Sequence, residues 1–211
     1  MGFALEYIIK DNEFWKNVIY SDEKTFSTSD QRELHCYRMK GERYKEDNVG
    51  KSKRNGRIDV GMWGWMWGYG VGEIYPIDGK FNGDQYLFIL KKIMLRSVRM
   101  LNPHGHIYFL HDNSPIHKCK KVQEWLQRQN EITVINWPAL SPDLNPIEHL
   151  WARFTSKWNG RQIKTKDTLI KHIENEWEEL RKNPDICERL AISMPKRLQE
   201  VIDNNGGLTH Y

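Results

Sequence analysis

Three apolar runs constrain the fold of this chain more than any other feature: Val18-Ile19-Tyr20, Ile107-Tyr108-Phe109-Leu110, and Ile132 to Trp137. Each is short, rich in β-branched or aromatic residues, and not strictly alternating between apolar and polar. Strands of that kind are buried on both faces, so they belong in the middle of a sheet with helices on either side.

The segments between these runs fill in the rest. Residues 3 to 16 read as a helix, and Lys16 to Ser21 as the first strand. Residues 33 to 39 read as a further short strand. Ile58 to Trp67 and Glu73 to Ile77 form a hairpin whose turn draws on Gly68, Gly70 and Gly72. Asp84 is expected to cap a helix with Tyr86, Ile89, Leu90, Ile93 and Met94 at helical spacing, ended by Asn102-Pro103-His104-Gly105. His106 to His111 follows as a strand, and Lys118 to Gln129 as a helix with Val122, Trp125 and Leu126 on one face. Pro138, Pro142 and Pro146 impose an extended loop. Asn145 is the expected cap of the next helix, with Pro146 at its first position. Ile147, Leu150, Trp151, Phe154 and Trp158 make its apolar stripe. Helices at about 166–182 and 185–203 follow, split by Pro184, interrupted at Pro195 and ended by Gly206-Gly207. The order predicts an α/β fold: a mixed five-stranded sheet, antiparallel then parallel, with helices on both faces.

A length of 211 residues fits one domain over 1–211, and nine Trp, nine Tyr and seven Phe supply its core. Within it, 40–57 reads as a basic loop and 165–211 as C-terminal helices. The net charge of +4 is modest, but its distribution is not. Arg38, Lys40, Arg43, Lys45, Lys51, Lys53, Arg54 and Arg57 crowd a segment whose only acids are Glu42, Glu46 and Asp47. Such a cluster suits phosphate backbones better than solubility alone requires, while a solvated loop is the plainer reading. Cys36, Cys119 and Cys187 form no C-x-x-C pair, which argues against a disulfide framework or zinc ribbon and for a reducing compartment. No signal peptide or membrane span is expected. No lysine-bearing P-loop, G-x-S-x-G or H-E-x-x-H occurs, which disfavours nucleotide-driven transfer, serine hydrolysis and zincin chemistry.

Three acids stand at informative places. Asp22 and Asp112 each follow a core run, at the edge where parallel sheets place ligands. Glu148 lies in the first turn of a helix, whose N-terminus favours an ionised carboxylate. Each also fits an ordinary role: Asp22 and Asp112 as turn caps, Glu148 as partner to Asn145 in a capping box. Glu23 alternates to the other face of its strand and is the weaker candidate. His111, Asn113 and His117 surround Asp112. Carboxylates brought together from distant segments can hold divalent cations for phosphoryl transfer.

At these residues the chain resembles the catalytic domain of the mariner superfamily of DDE transposases. The resemblance runs from about Trp15 to the end. It is carried by Ser21-Asp22-Glu23, Met62-Trp63-Gly64, Ile77-Asp78-Gly79-Lys80, His111-Asp112-Asn113 with His117, and above all Trp137-Pro138 followed by Ser141-Pro142-Asp143-Leu144-Asn145-Pro146-Ile147-Glu148 and Leu150-Trp151. Ser193-Met194-Pro195 and Gly206-Gly207 fit the family's tail. The resemblance implies a ribonuclease H-like fold and metal ligation by Asp22, Asp112 and Glu148. It implies two Mg²⁺ or Mn²⁺ ions, cleavage at element ends, and joining of the 3′-hydroxyl to a TA target. It further implies DNA as partner, a homodimer or larger assembly on that DNA, a nuclear location, and no small-molecule substrate. Lys51, Lys53, Arg54, Arg57, Asn113, His117 and Asn145 are the candidate DNA contacts. Two departures stand out. Asp112 and Glu148 have 35 residues between them, one more than is commonest in the family, with the extra residue expected near Asn130-Glu131. The family's paired helix-turn-helix modules have no counterpart before Trp15. A domesticated module that binds DNA, chromatin or protein without catalysis is the alternative, and a ribonuclease of the same fold is a third.

Overall fold

A computed structural model describes residues 1–28, 57–102, 105–156 and 163–210. The expected strand at 33–39 and most of the basic loop lie outside the described residues.

Two short helices, α1 (Gly2–Tyr7) and α2 (Asn12–Lys16), open the chain in place of one. The split falls before Asp11, whose side chain accepts the Phe14 N–H and starts α2 afresh. Next come β1 (Val18–Ser27), β2 (Asp59–Trp67) and β3 (Gly70–Ile77). Helix α3 (Gly83–Phe88) continues through a π-helical stretch, Ile89–Met94, into α4 (Leu95–Leu101). Its cap is Asn82, which accepts from the N–H groups of Asp84 and Gln85, rather than Asp84 itself. After β4 (Ile107–Leu110), α5 (Lys120–Gln127) and β5 (Ile132–Val134), a 3₁₀ turn at Pro142–Leu144 leads into α6 (Ile147–Ser156). The chain closes with α7 (Lys166–Arg181), α8 (Asp185–Ile192) and α9 (Met194–Asp203). The prolines at 184 and 195 divide these helices as expected.

The five strands lie in the order β3-β2-β1-β4-β5. β1 pairs antiparallel with β2 and parallel with β4; β2–β3 is antiparallel and β4–β5 parallel. The sheet is therefore the mixed, five-stranded one expected, and β1 is its hinge between the two regimes.

Alternation along the strands sorts side chains onto two apolar layers. Val18, Tyr20 and Phe26 of β1 and Val60, Met62 and Met66 of β2 face a core completed by α1, α2 and α6–α9. Ile19, Trp63 and Trp65 face the opposite core, completed by α3, α4 and α5. Glycine allows the closest approaches. A Cβ on Gly64 would lie 2.9 Å from the Trp151 ring and 3.1 Å from Trp177, and one on Gly72 would lie 1.8 Å from Trp65. Opposite Trp65 the β3 strand carries an extra residue, a bulge. Gly72 lies in it, and its carbonyl accepts from Trp177 Nε1 (2.9 Å) and Arg181 Nη2 (2.8 Å), which fastens α7 to the sheet.

Candidate active site

Asp22 does not end its strand. The ladder with β4 stops at Tyr20 opposite Leu110, but the ladder with β2 runs on to Ser27 opposite Asp59. Asp22 thus stands two residues past the last β1–β4 pair, and Asp112 stands two residues past it on the other chain segment. The register alone brings them to one level of the sheet.

Glu148 reaches the same place through helical spacing. Asn145, Glu148 and Trp151 recur every three residues and so share one side of the helix start. Asn145 Nδ2 donates to the Ser21 carbonyl (3.4 Å), and Trp151 Nε1 donates to Asp22 Oδ2 (3.0 Å). Glu148 lies between these two anchors. The expected capping box is not formed: the Asn145 N–H donates to the Pro142 carbonyl (2.9 Å), and the Glu148 carboxylate is not bonded back to it. Asn145 Oδ1 instead accepts weakly from the Ile147 N–H (3.5 Å). The Glu148 carboxylate lies near enough to Asp22 for its charge to act on that acid.

That juxtaposition is electrostatically costly. Burial, then the charges of Glu148 and Glu23, push the Asp22 carboxyl up to about 8. Among the described residues neither Asp22 nor Glu148 is paired with a lysine or arginine. Two like charges held together in partial burial suit a hard cation, whose oxygen-donor preference matches this set.

Asp112 is exposed and turns toward a histidine. Its Oδ1 accepts from His117 Nδ1 (2.6 Å) and from the Ser114 N–H (2.9 Å). The other imidazole nitrogen, Nε2, lies 3.2 Å from Glu23 Oε1. Glu23 does sit on the opposite face of β1 from Asp22, as alternation requires. His117 is buried, and despite that burial its two carboxylate partners raise it to about 9, so it is an imidazolium at neutral pH. Its ring lies 4.1 Å from Tyr86 and 5.0 Å from His111, centroid to centroid. His111 is held neutral by burial, lowered to about 3, and pairs with the Tyr86 hydroxyl through Nδ1 (2.7 Å). Among the described residues no three His, Cys, Asp or Glu side chains already sit as a metal-binding group.

The expected DNA contacts divide. Lys51, Lys53 and Arg54 lie outside the described residues. Arg57 pairs with Asp59 (2.8 Å) at the start of β2. Asn113 donates to the Trp137 carbonyl (2.7 Å), and Asn145 and His117 are buried in the bonds given above. Sequence reasoning missed Trp151 as a partner of Asp22, although its spacing from Glu148 was a signal. It also missed Arg197, fully buried, which donates to the Asp143 carbonyl (2.6 Å) and to Ser193 Oγ (2.9 Å), with Nη2 3.4 Å from His149. No sequence pattern marks that arginine as internal.

A family described as DDE superfamily endonuclease matches residues 17–170, which hold all three acids. The chain belongs to the DDE superfamily of endonucleases. Among relatives of this DDE chain, the Transposable element Tc1 transposase of Caenorhabditis elegans is 31% identical over 198 residues, spanning 93% of this chain and 71% of that protein. The catalytic domain of Mos1 mariner transposase superposes with a TM-score of 0.74 at 19% identity, covering 98% of this chain and 90% of that one. The mariner Mos1 paired-end complex with Mg gives 0.81 at 21% identity, and there the chain spans 60% of its counterpart's length. These structural matches establish the fold of the DDE chain as that of the Mos1 catalytic domain, the ribonuclease H-like fold expected.

Proposed function

We propose that this chain is the catalytic core of a cut-and-paste DNA transposase, with Asp22, Asp112 and Glu148 holding divalent cations, Mg²⁺ or Mn²⁺. The observation that carries the reading is the convergence of Asp22 and Glu148 at the level of Asp112 within a DDE-family fold. Two ions would be needed to serve both the attacking and the leaving oxygen, activating water or a 3′-hydroxyl and neutralising charge on the phosphate. The chain's own residues supply the frame. β1 presents Asp22 rigidly, Trp151 orients one of its oxygens, and the Asn145–Ser21 bond fixes where α6 begins. Asn113, His117 and Asn145 spend their polar groups inside the protein, which supports a role in shaping the site rather than touching DNA.

On this reading the substrate is double-stranded DNA: element ends for cleavage and a TA site for joining. The basic residues Lys51, Lys53, Arg54 and Arg57 would approach the phosphate backbone. Pairing of two ends calls for a dimer or larger assembly on DNA, and in a nucleated host a chromosomal substrate calls for a nuclear location. The test is nicking and strand transfer on a short duplex carrying candidate ends, with and without Mg²⁺ or Mn²⁺. Asp22→Asn, Asp112→Asn and Glu148→Gln should each lower the metal-dependent rate on the order of 10³-fold, the several kcal/mol such ions supply. A wild-type chain that nicks no faster than Asp112→Asn, while still binding duplex, would sink the reading in favour of a non-catalytic DNA-binding module.

A further inference from the structure

We propose that Glu23 is a positioning residue for Asp112, acting through the His117 imidazole, and that it thereby sets how tightly the site holds its divalent cation. The proposal rests on the metal-site reading above and assigns Glu23 a place that the three acids leave open.

Asp112 needs external support. It follows β4 on irregular backbone, its side chain is 57% exposed, and both of its bonds fall on Oδ1. That leaves Oδ2 as the oxygen available to a cation. Ligating carboxylates are characteristically held by such a bond on their other oxygen, and loss of the partner costs about 10–100-fold in metal affinity.

His117 can transmit position because it is itself confined. It is buried, with the Tyr86 ring tilted against it at 4.1 Å and the His111 ring parallel to it within 6° at 5.0 Å. One ring nitrogen faces Asp112 and the other faces Glu23. The two bonds at opposite ring nitrogens set where the ring lies along the line between the two carboxylates, and Glu23 holds the end away from Asp112.

Glu23 also ties Asp112 to the strand that carries Asp22. The β1–β4 ladder ends at Tyr20 and Leu110, extended only by Ser21 Oγ donating to the Leu110 carbonyl (3.1 Å). Beyond that point the chain Glu23–His117–Asp112 is a side-chain link between the two segments. It is built on the face of β1 opposite Asp22, so it can fix the height of Asp112 without entering the space a cation would take. A surface ion pair would be the plain reading of Glu23, but its partner's imidazole is only 2% exposed.

The experiment is Mn²⁺ titration of the full chain, read by the EPR signal of free ion, with thermal melting alongside. Glu23→Ala should weaken Mn²⁺ binding by about 3–10-fold, less than a direct partner's loss because it acts one bond further away, with Tm within a few degrees of wild type. Glu23→Gln keeps an acceptor for the imidazole and should recover wild-type affinity to within about twofold. In a His117→Asn background, Glu23→Ala should add nearly nothing, since the path is already cut. Equal Mn²⁺ affinity for wild type and Glu23→Ala overturns the proposal. Equal losses in Glu23→Ala and Glu23→Gln also overturn it, because Glu23 would then act by its charge on the ion. If wild type itself takes up no Mn²⁺, with or without duplex DNA, the metal-site reading fails and this proposal with it.

Discussion

At the scale of the residue, Asp22 concentrates the electrostatic strain of the candidate site. Its carboxyl stands at about 8 because burial and Glu148 both penalise the charge. An acid with a folded pKa above its unfolded value makes the folded state the stronger proton binder between the two. The contribution of Asp22 to the stability of the metal-free protein therefore falls as pH rises from about 4 toward 8. Asp22→Asn keeps the oxygen that accepts from Trp151 and removes the titration. In EDTA the Tm difference between Asp22→Asn and wild type should widen as pH rises over that range, the histidines His111 and His117 contributing equally to both. At pH 8 the Tm of Asp22→Asn should exceed wild type by about 2–4 °C, roughly 1 kcal/mol for a chain this long, a modest figure because Asp22 is not fully buried. A Tm difference between the two proteins that stays constant from pH 4 to pH 8 would contradict the assignment. Residue identity was readable for Asp22, Asp112 and Glu148 from their places beside apolar runs. Their charges' mutual effect was not, since it depends on a contact across more than a hundred positions.

At the scale of the element, α6 is aimed by its neighbours. Trp151 stacks on Trp177 with centroids 5.3 Å apart, and Gly64 leaves the space on β2 that both rings occupy. Gly64→Ala puts a methyl under 3.0 Å from Trp151 in a packed layer, where both tryptophan rings are fully buried. A loss of about 1–3 kcal/mol is expected, read by urea denaturation. Mn²⁺ affinity should fall as well, because a displaced Trp151 releases Asp22. Wild-type stability in Gly64→Ala would mean the rings yield. Helices and strands were broadly legible in sequence because their apolar periods are strong. Ends were less so. β1 runs six residues beyond Ser21 because β2 supplies a ladder that its polar sequence does not advertise. The first helix breaks in two because Asp11 competes as a cap.

At the scale of the whole molecule, the C-terminal helices brace the site from behind. The buried Arg197 grips Asp143 and lies against His149, on either side of Glu148, while Asp143 Oδ2 accepts from Thr209 N–H (2.9 Å) and Oγ1 (3.0 Å). Arg197→Ala should cost about 3 kcal/mol or more, by stranding buried carbonyl and hydroxyl groups, and hydrogen exchange should quicken at residues 141–149 before it does in β1. Exchange that quickens uniformly would instead point to global loosening. Long-range electrostatics also belongs to this scale. Replacing Lys51, Lys53 and Arg54 by alanine should weaken duplex binding evenly across sequences and reduce the slope of log affinity against log salt by about 2–3. An unchanged slope would remove those residues from the interface.

By itself the sequence determined the sheet's composition, its flanking helices, and which three acids to watch. Those follow from local patterns: apolar runs, helical periods, and a proline-bounded segment that admits few conformations. Only the tertiary structure decided that Glu148 sets its charge near Asp22 rather than bonding its own helix cap, that His117 is locked between Asp112 and Glu23, and that Arg197 is internal. The physical reason is the same in each case. A side chain's partner is set by register and packing between segments far apart in the chain, and local sequence carries no record of which distant group will fill the space beside it.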